Sequence, residues 1–235
     1  MKILSIGQKI EESRLEIVNI ALSEIEQIVT LEEYDYLLVS GGDGAIRRII
    51  KTLHHKAISI PPLILNPTGS FNVIAKLHRV PKLETILHTL TQGQTPQTNK
   101  QAYYALNDEV FLFSAGNMGD LQHIFLSETL RFGILKYGSA KYVLALLFLL
   151  PLHIIMTPFM LFSKRRFFIF TPASFISKFG SFYGKVTEEI EIDLDNGYNH
   201  IELDGDVVTL KSNTLKIVFA GEIHILAMNI QLSNI

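Results

Sequence analysis

Glycines 41, 42 and 44, with Asp43 among them, follow the apolar run Tyr34-Asp35-Tyr36-Leu37-Leu38-Val39 and precede Ala45-Ile46-Arg47-Arg48-Ile49-Ile50-Lys51-Thr52-Leu53. A phosphate needs backbone N–H donors at close range, and glycine lets the main chain approach without a Cβ in the way. Placing such a loop between a strand and a helix adds the positive end of the helix dipole. Ser40-Gly41-Gly42-Asp43-Gly44 meets these conditions. Asn66-Pro67-Thr68-Gly69-Ser70 meets them again, after Pro62-Leu63-Ile64-Leu65 and before Phe71 to His78. Either loop alone reads equally well as a tight strand–helix turn. Two of them at the ends of adjacent predicted strands point to one shared ligand at the C-terminal edge of a sheet. Lys2, Lys9, Arg47, Arg48, Lys76 and Arg79 are the basic side chains that could meet phosphates, and at least one of Arg47 and Arg48 reads as solvated. His54-His55 reads as surface, because adjacent residues diverge on a helix and no third metal ligand follows at a helpful spacing. Taken alone, Asp204-Gly205-Asp206 is a hairpin turn, since Asp-Gly is the dipeptide such turns favour.

The elements that would position these loops follow from periodicity. Glu11 to Ile28 carries Leu15, Val18, Ile20, Leu22, Ile25 and Ile28 at near-helical spacing and is expected to be a helix. Tyr34–Val39 and Pro62–Leu65 are short, apolar and bounded by breakers, as buried strands are. Strand, loop and helix, repeated, predict a parallel sheet with helices on its faces. Thr91-Gln92-Gly93-Gln94-Thr95-Pro96-Gln97 is polar and holds both breaker types, so the domain boundary is placed there: residues 1–96, then 97–235. Beyond it come β-like runs at 103–106, 110–114, 167–170, 189–194, 198–203 and 214–219, several alternating polar with apolar. A helical insert, Leu130 to Leu150, interrupts them.

With 48% apolar residues, the 235-residue chain has enough material for a substantial core, and general disorder is excluded. A net charge of −2 gives no basic excess to hold a polyanion, so nucleic acid is excluded as a partner. Cysteine is absent, which excludes disulfides, thiolate metal sites and thiol nucleophiles and suits a reducing cytoplasm. The apolar part of Met1 to Gly7 is too short for a signal peptide and reads as a first strand. Tyr142 to Phe162 contains no Asp, Glu, Lys or Arg. It is long enough to span a bilayer, but Pro151, His153 and Pro158 interrupt it and Lys164-Arg165-Arg166 follows. A buried or membrane-surface helix is therefore expected.

Tyr36-Leu37-Leu38-Val39-Ser40-Gly41-Gly42-Asp43-Gly44-Ala45-Ile46 resembles the nucleotide-binding signature of the diacylglycerol kinase and sphingosine kinase superfamily, in which Gly-Gly-Asp-Gly-Thr follows a strand. Pro67-Thr68-Gly69-Ser70-Phe71-Asn72 with Ala75 is similar to its Pro-x-Gly-Thr-x-Asn-x-x-Ala block. Gly133 to Tyr142 resembles its Gly-x-x-x-Tyr helical region, Ile201 to Asp206 its late Asp-Gly-Glu element, and Leu215 to Leu226 its closing strand. The sequence departs from the pattern in five ways: an abbreviated N-terminal part with only Ser5-Ile6-Gly7 as a loose counterpart of the first loop, Ala45 for threonine, Arg48 where an acid is common, Val73 for a polar residue, and Asp206 for glutamate.

The resemblance implies an α/β plus β protein. A Rossmann-like nucleotide-binding domain would be followed by an antiparallel β-sandwich-type domain with a helical insert, the last strand returning to the first domain. It implies an ATP- and Mg²⁺-dependent lipid kinase that phosphorylates a hydroxyl of diacylglycerol or a related lipid. Ser40, Gly41, Gly42, Asp43, Gly44, Thr68, Gly69, Ser70 and Asn72 would hold the nucleotide. Among the acids, Asp204 would act as base and Asp206 would assist, while Asp43 would orient the loop or help as a base. The expected partners are the lipid substrate and a peripheral membrane surface, with a homodimer left open and the metal ligands unassigned. Two alternatives stand beside this: a non-catalytic lipid- or nucleotide-binding regulator, and an NAD kinase-like enzyme, whose Gly-x-x-Gly-Phe-Leu pattern Gly69-Ser70-Phe71-Asn72 fits poorly.

Overall fold

The computed structural model describes residues 1–117 and 161–227, and between them positions 143, 144, 147, 150, 151, 154, 155, 158 and 159. The chain forms two units, Met1–Ala102 with Glu222–Ile235, and Tyr103–Gly221.

The first unit is built on parallel strands. β1 (Lys2–Ile6) pairs with β2 (Glu16–Ile20) on one side and β3 (Tyr36–Gly41) on the other. α1 (Asp43–His55) follows β3, and β4 (Leu63–Pro67) then pairs with β3. α2 (Val73–Leu77) and α3 (Leu83–Thr91) complete it. β1, β3 and β4 are near-continuous apolar runs because both faces of the sheet are covered. One face sets Ile3, Leu38 and Ile64 against Ile86, Leu87 and Leu90 of α3, in one cluster with Leu226. Leu37, Val39, Leu63 and Leu65 alternate to the opposite face and are equally buried, as are Ile46, Ile49, Ile50 and Leu53 of α1.

The helix expected over Glu11–Ile28 does not form. Glu16–Ile20 is a strand, and Leu22–Gln27 is a 3-10 turn. Three of the five residues in Glu16-Ile17-Val18-Asn19-Ile20 are β-branched and stiff at χ1, and the free edge of β1 offers them a full ladder. The Asn19 side chain fixes the approach, accepting from the Ile10 N–H at 2.9 Å and donating to its carbonyl at 3.0 Å.

The second unit is rich in sheet. β5 (Gln97–Leu106), which begins in the first unit, forms a hairpin with β6 (Glu109–Phe111). Then come β7 (Ser114–Gly116), β8 (Phe168–Phe170), β9 (Lys178–Phe179), β10 (Phe182–Tyr183), β11 (Ile190–Asp193), β12 (Asn199–Leu203) and β13 (Asp206–Leu210). One sheet runs β13-β12-β7-β8-β10-β9, antiparallel except where β10 lies parallel to β8. β14 (Thr214–Ala227) starts antiparallel to β11 and ends in the first unit, where Ile225 pairs with Leu63 of β4 in parallel. Of the expected helical insert, residues 130–142 lie outside the described residues, as does the Gly133–Tyr142 element. The described positions from 143 to 159 are helical. Among the described residues, no helix is long and apolar enough to cross a membrane.

Candidate functional site

The glycine loops sit where adjacent parallel strands end. Ser40 is in register with Asn66 and Gly41 with Pro67. The Asn66 amide donates to the Ser40 hydroxyl at 3.0 Å, and the Thr68 N–H donates to the Gly41 carbonyl at 3.1 Å. The two bends then touch through their glycines. A Cβ on Gly69 would fall 2.5 Å from the Gly42 Cα and 2.8 Å from Asn72 Oδ1, and one on Gly42 would fall 3.1 Å from the Gly69 Cα. Gly69 therefore requires glycine for the approach itself, and a side chain at Gly42 would press the neighbouring bend away by a few tenths of an ångström. Gly7, at the end of β1, adds a third main-chain contact: its φ is +103°, and a Cβ there would lie 2.6 Å from the Ser40 carbonyl oxygen.

Two polar side chains lock this arrangement. Asn72, at φ +50°, accepts from the Gly69 N–H at 3.0 Å and donates to the Gly69 carbonyl at 2.8 Å. That use leaves the start of α2 without a cap from its own chain neighbour. Asp43 supplies the cap from across the gap, its carboxylate accepting from Val73 N–H at 2.8 Å and Ile74 N–H at 3.0 Å. A carboxylate facing a helix N-terminus is favoured by orphan amides and dipole together. Asp43 is buried as well, so it clamps the first loop to the second. At the head of α1, the Ala45 and Ile46 N–H groups return to the Gly42 carbonyl at 3.0 and 3.2 Å. First-turn amides of a helix have no acceptor within it, and those of Asp43 and Gly44 are the ones this loop offers an anion.

The structure therefore gathers Ser40, Gly41, Gly42, Asp43, Gly44, Thr68, Gly69, Ser70 and Asn72 around one contact. Their tasks differ: Asp43 and Asn72 hold the protein together, whereas Thr68, Gly69 and Ser70 are exposed. Arg47 is buried inside α1 and Arg48 is on its outer side; Lys76 and Arg79 are exposed.

The acids expected to do chemistry lie in the second unit, on the two-residue turn joining β12 to β13. Leu203 pairs with Asp206, and Asp204 and Gly205 between them have φ +52° and +88°, both positive as a type I′ turn demands. Asp204 is buried. Its Oδ1 accepts from Phe113 N–H at 2.9 Å and Ser114 N–H at 3.0 Å, and its Oδ2 accepts from Leu112 N–H at 2.7 Å. Those amides belong to Leu112 and Phe113, between β6 and β7, and to Ser114, the first residue of β7, so Asp204 serves as their acceptor where the chain passes from one strand to the next. Asp206 is half-buried. Glu202 was not singled out from sequence. It is buried, with Oε1 accepting from the Ser114 hydroxyl at 3.0 Å and also from the Gly205 N–H. Among the described residues, no group of three His, Asp or Glu is placed to hold a metal ion.

Residues 7–100, which contain both glycine loops and the Asp43 clamp, match the diacylglycerol kinase catalytic domain. Over 110 residues the chain is 31% identical to a Streptococcus pneumoniae serotype 4 protein named "Putative lipid kinase", a match covering 46% of this chain and 36% of the relative. The chain thus spans about a third of the length of that curated relative. A solved structure described as "A putative diacylglycerol kinase from Bacillus anthracis str. Sterne" shares the fold at TM-score 0.52 and 12% identity, covering 96% of this chain and 97% of that one. An NAD kinase from Archaeoglobus fulgidus, solved with ATP, aligns at TM-score 0.47 and 10% identity over 97% of this chain and 94% of that one. The mixed α/β first part and sheet-rich second part are those of a diacylglycerol kinase-like fold, and the matched stretch carries its glycine loops at the strand ends.

Proposed function

We propose that the chain is an ATP-dependent lipid kinase, moving the terminal phosphoryl group of ATP to a hydroxyl of diacylglycerol or a related lipid. The contact of Gly42 with Gly69, clamped by Asp43, is the observation that carries this reading. Two amide-bearing bends held against each other set main-chain N–H donors side by side at one edge of the sheet, which suits the oxygens of a polyphosphate. Phosphoryl transfer asks a protein chiefly for positioning and charge stabilisation. The Asp43 and Gly44 amides at the positive end of α1 would face the phosphates, with the Thr68 and Ser70 hydroxyls beside them. Ala45 adds no hydroxyl where the family has threonine, which puts more of the binding on the main chain.

The lipid oxygen would form its bond to the terminal phosphorus as the bond to the ADP oxygen breaks, its proton passing to a carboxylate. Asp204 is a poor choice for that acceptor, because three N–H groups already occupy its two oxygens. Asp206, past the turn and half-exposed, takes the role instead, and Asp204 becomes the positioning residue that sets the turn. Mg²⁺ would arrive on the nucleotide, because the described residues contain no acidic cluster to hold it alone; bound to the phosphates, it offsets their charge. A second reading, a homologue that binds nucleotide and lipid without transfer, is favoured by Ala45 and by the engagement of Asp204.

The test is to incubate the purified chain with Mg²⁺ and ATP labelled in its terminal phosphate, offering diacylglycerol in mixed micelles or NAD. Labelled phosphatidic acid supports the kinase. Labelled NADP moves the acceptor to NAD. ATP binding without any product supports the second reading, and absence of ATP binding refutes both.

A further inference from the structure

The described helical positions between 143 and 159 carry an apolar surface that no part of the second unit covers among the described residues. Val143, Leu147, Leu150, Ile154, Ile155 and Phe159 are 42% to 72% exposed. They recur at steps of three and four, apart from one adjacent pair, the spacing of one side of a helix. Phe162 continues the stripe at 76% exposure, and its ring meets Phe179 edge-on at 6.4 Å; nearby in sequence, Phe175 is 86% exposed. The two segments are fixed to each other: the Ser181 N–H donates to the Leu161 carbonyl at 2.7 Å and its hydroxyl to the Ser163 carbonyl at 2.6 Å. Single exposed apolar residues are ordinary, but a recurring set with aromatic rings at one end marks an interaction surface.

The charge pattern decides what that surface meets. No Asp, Glu, Lys or Arg occurs from Tyr142 to Phe162, and Lys164-Arg165-Arg166 follows one residue later. Lys164 is exposed, Arg165 is exposed while paired with Asp195, and Arg166 donates to the Asn117 carbonyl at 2.8 Å. Lys178 stands beside Phe179, its ammonium 4.8 Å from the centre of the Tyr183 ring. A second protein chain would bury the stripe without needing a basic border. An anionic bilayer rewards both parts, the apolar and aromatic side chains entering the headgroup boundary and the cations pairing with lipid phosphates.

We propose that the stripe from Val143 to Phe162, with Phe175 and Phe179, lies flat on an anionic membrane surface with Lys164 and Lys178 at its border. The inference concerns the second unit alone and stands whether or not the chain transfers phosphoryl groups. If it is a lipid kinase, this is the surface that brings it to its substrate.

The full chain is sedimented with vesicles of phosphatidylcholine, and with vesicles of phosphatidylcholine mixed with phosphatidylglycerol. It should pellet with both and more strongly with the second. The double variant Ile154→Glu, Phe159→Glu should lower partitioning at least about tenfold. Lys164→Gln should lower it about fivefold on the anionic vesicles, the factor corresponding to about 1 kcal/mol for the one charge removed, and leave the neutral ones unchanged. Phe175→Glu, on a separate and highly exposed segment, gives an independent loss should the double variant fold poorly, and thermal unfolding checks each variant. Absence of wild-type binding overturns the proposal, as does binding unchanged in both the double variant and Phe175→Glu. So does a concentration-dependent dimer in sedimentation velocity, without vesicles, that the double variant abolishes, because a second copy then covers the stripe. Vesicle binding with no phosphoryl transfer to any acceptor would remove the kinase reading and leave this one standing.

Discussion

Asp43→Asn separates a clamp from a catalyst. The carboxylate of Asp43 accepts two backbone N–H bonds, from Val73 at 2.8 Å and Ile74 at 3.0 Å, and the residue is buried. Asparagine keeps the size but has one acceptor oxygen, so it can serve one amide while its own NH₂ opposes the other. The retained bond falls from charge-assisted to neutral strength, a loss of about 1 to 1.5 kcal/mol. The abandoned amide costs a further ~1–3 kcal/mol, and together the change destabilises by about 2–4 kcal/mol. For a chain of this size that corresponds to a fall in Tm of about 5–15 °C. The first loop also loses its hold on the second, and ATP affinity should fall at least about tenfold, since ~1.4 kcal/mol is a factor of ten. Calorimetry of thermal unfolding and titration with ATP measure the two effects. A Tm within about 2 °C of wild type with ATP binding intact and transfer abolished would refute the clamp and return Asp43 to the chemistry.

Gly69→Ala places a Cβ 2.5 Å from the Gly42 Cα, so the bends must part. We expect a stability loss of about 1–3 kcal/mol by thermal unfolding and weaker ATP binding by titration. Gly42→Asp puts a carboxylate into the same contact and should abolish ATP binding; unchanged affinity would make the loop a turn and nothing more. Asp204→Asn leaves the positive φ tolerable, but its NH₂ must oppose one of three amides, with Leu112 N–H the nearest at 2.7 Å. A loss of about 2–4 kcal/mol should appear in unfolding by denaturant. Asp206→Asn, at a half-buried position, should change stability by less than about 1 kcal/mol and cut phosphoryl transfer by about 100-fold or more. The reverse pattern for these two acids would restore Asp204 as the base.

The sequence alone determined the units that are local. β3, its glycine loop and α1, then β4, its loop and α2, are legible because each is a short apolar run, a breaker and a helical repeat within a few neighbouring residues. α3 was equally legible in principle, with Leu83, Ile86, Leu87 and Leu90 at helical steps, though the polar residues around it masked the pattern. Tertiary structure decided the rest. Glu16–Ile20 has a spacing that suits a helix, and it became a strand because β1 had an edge to offer. Periodicity cannot register a partner lying elsewhere in the chain. The mutual contact of Gly42 and Gly69, the approach of Gly7 to Ser40, and the capping of α2 by Asp43 exist only once the parallel strands have set their register. The same holds for the acids: Asp-Gly announced the turn, but the three amides that occupy Asp204 come from residues 112–114, about ninety positions earlier. A side chain's type shows which bonds it can make, and the fold determines which groups it meets and therefore whether it reacts or holds.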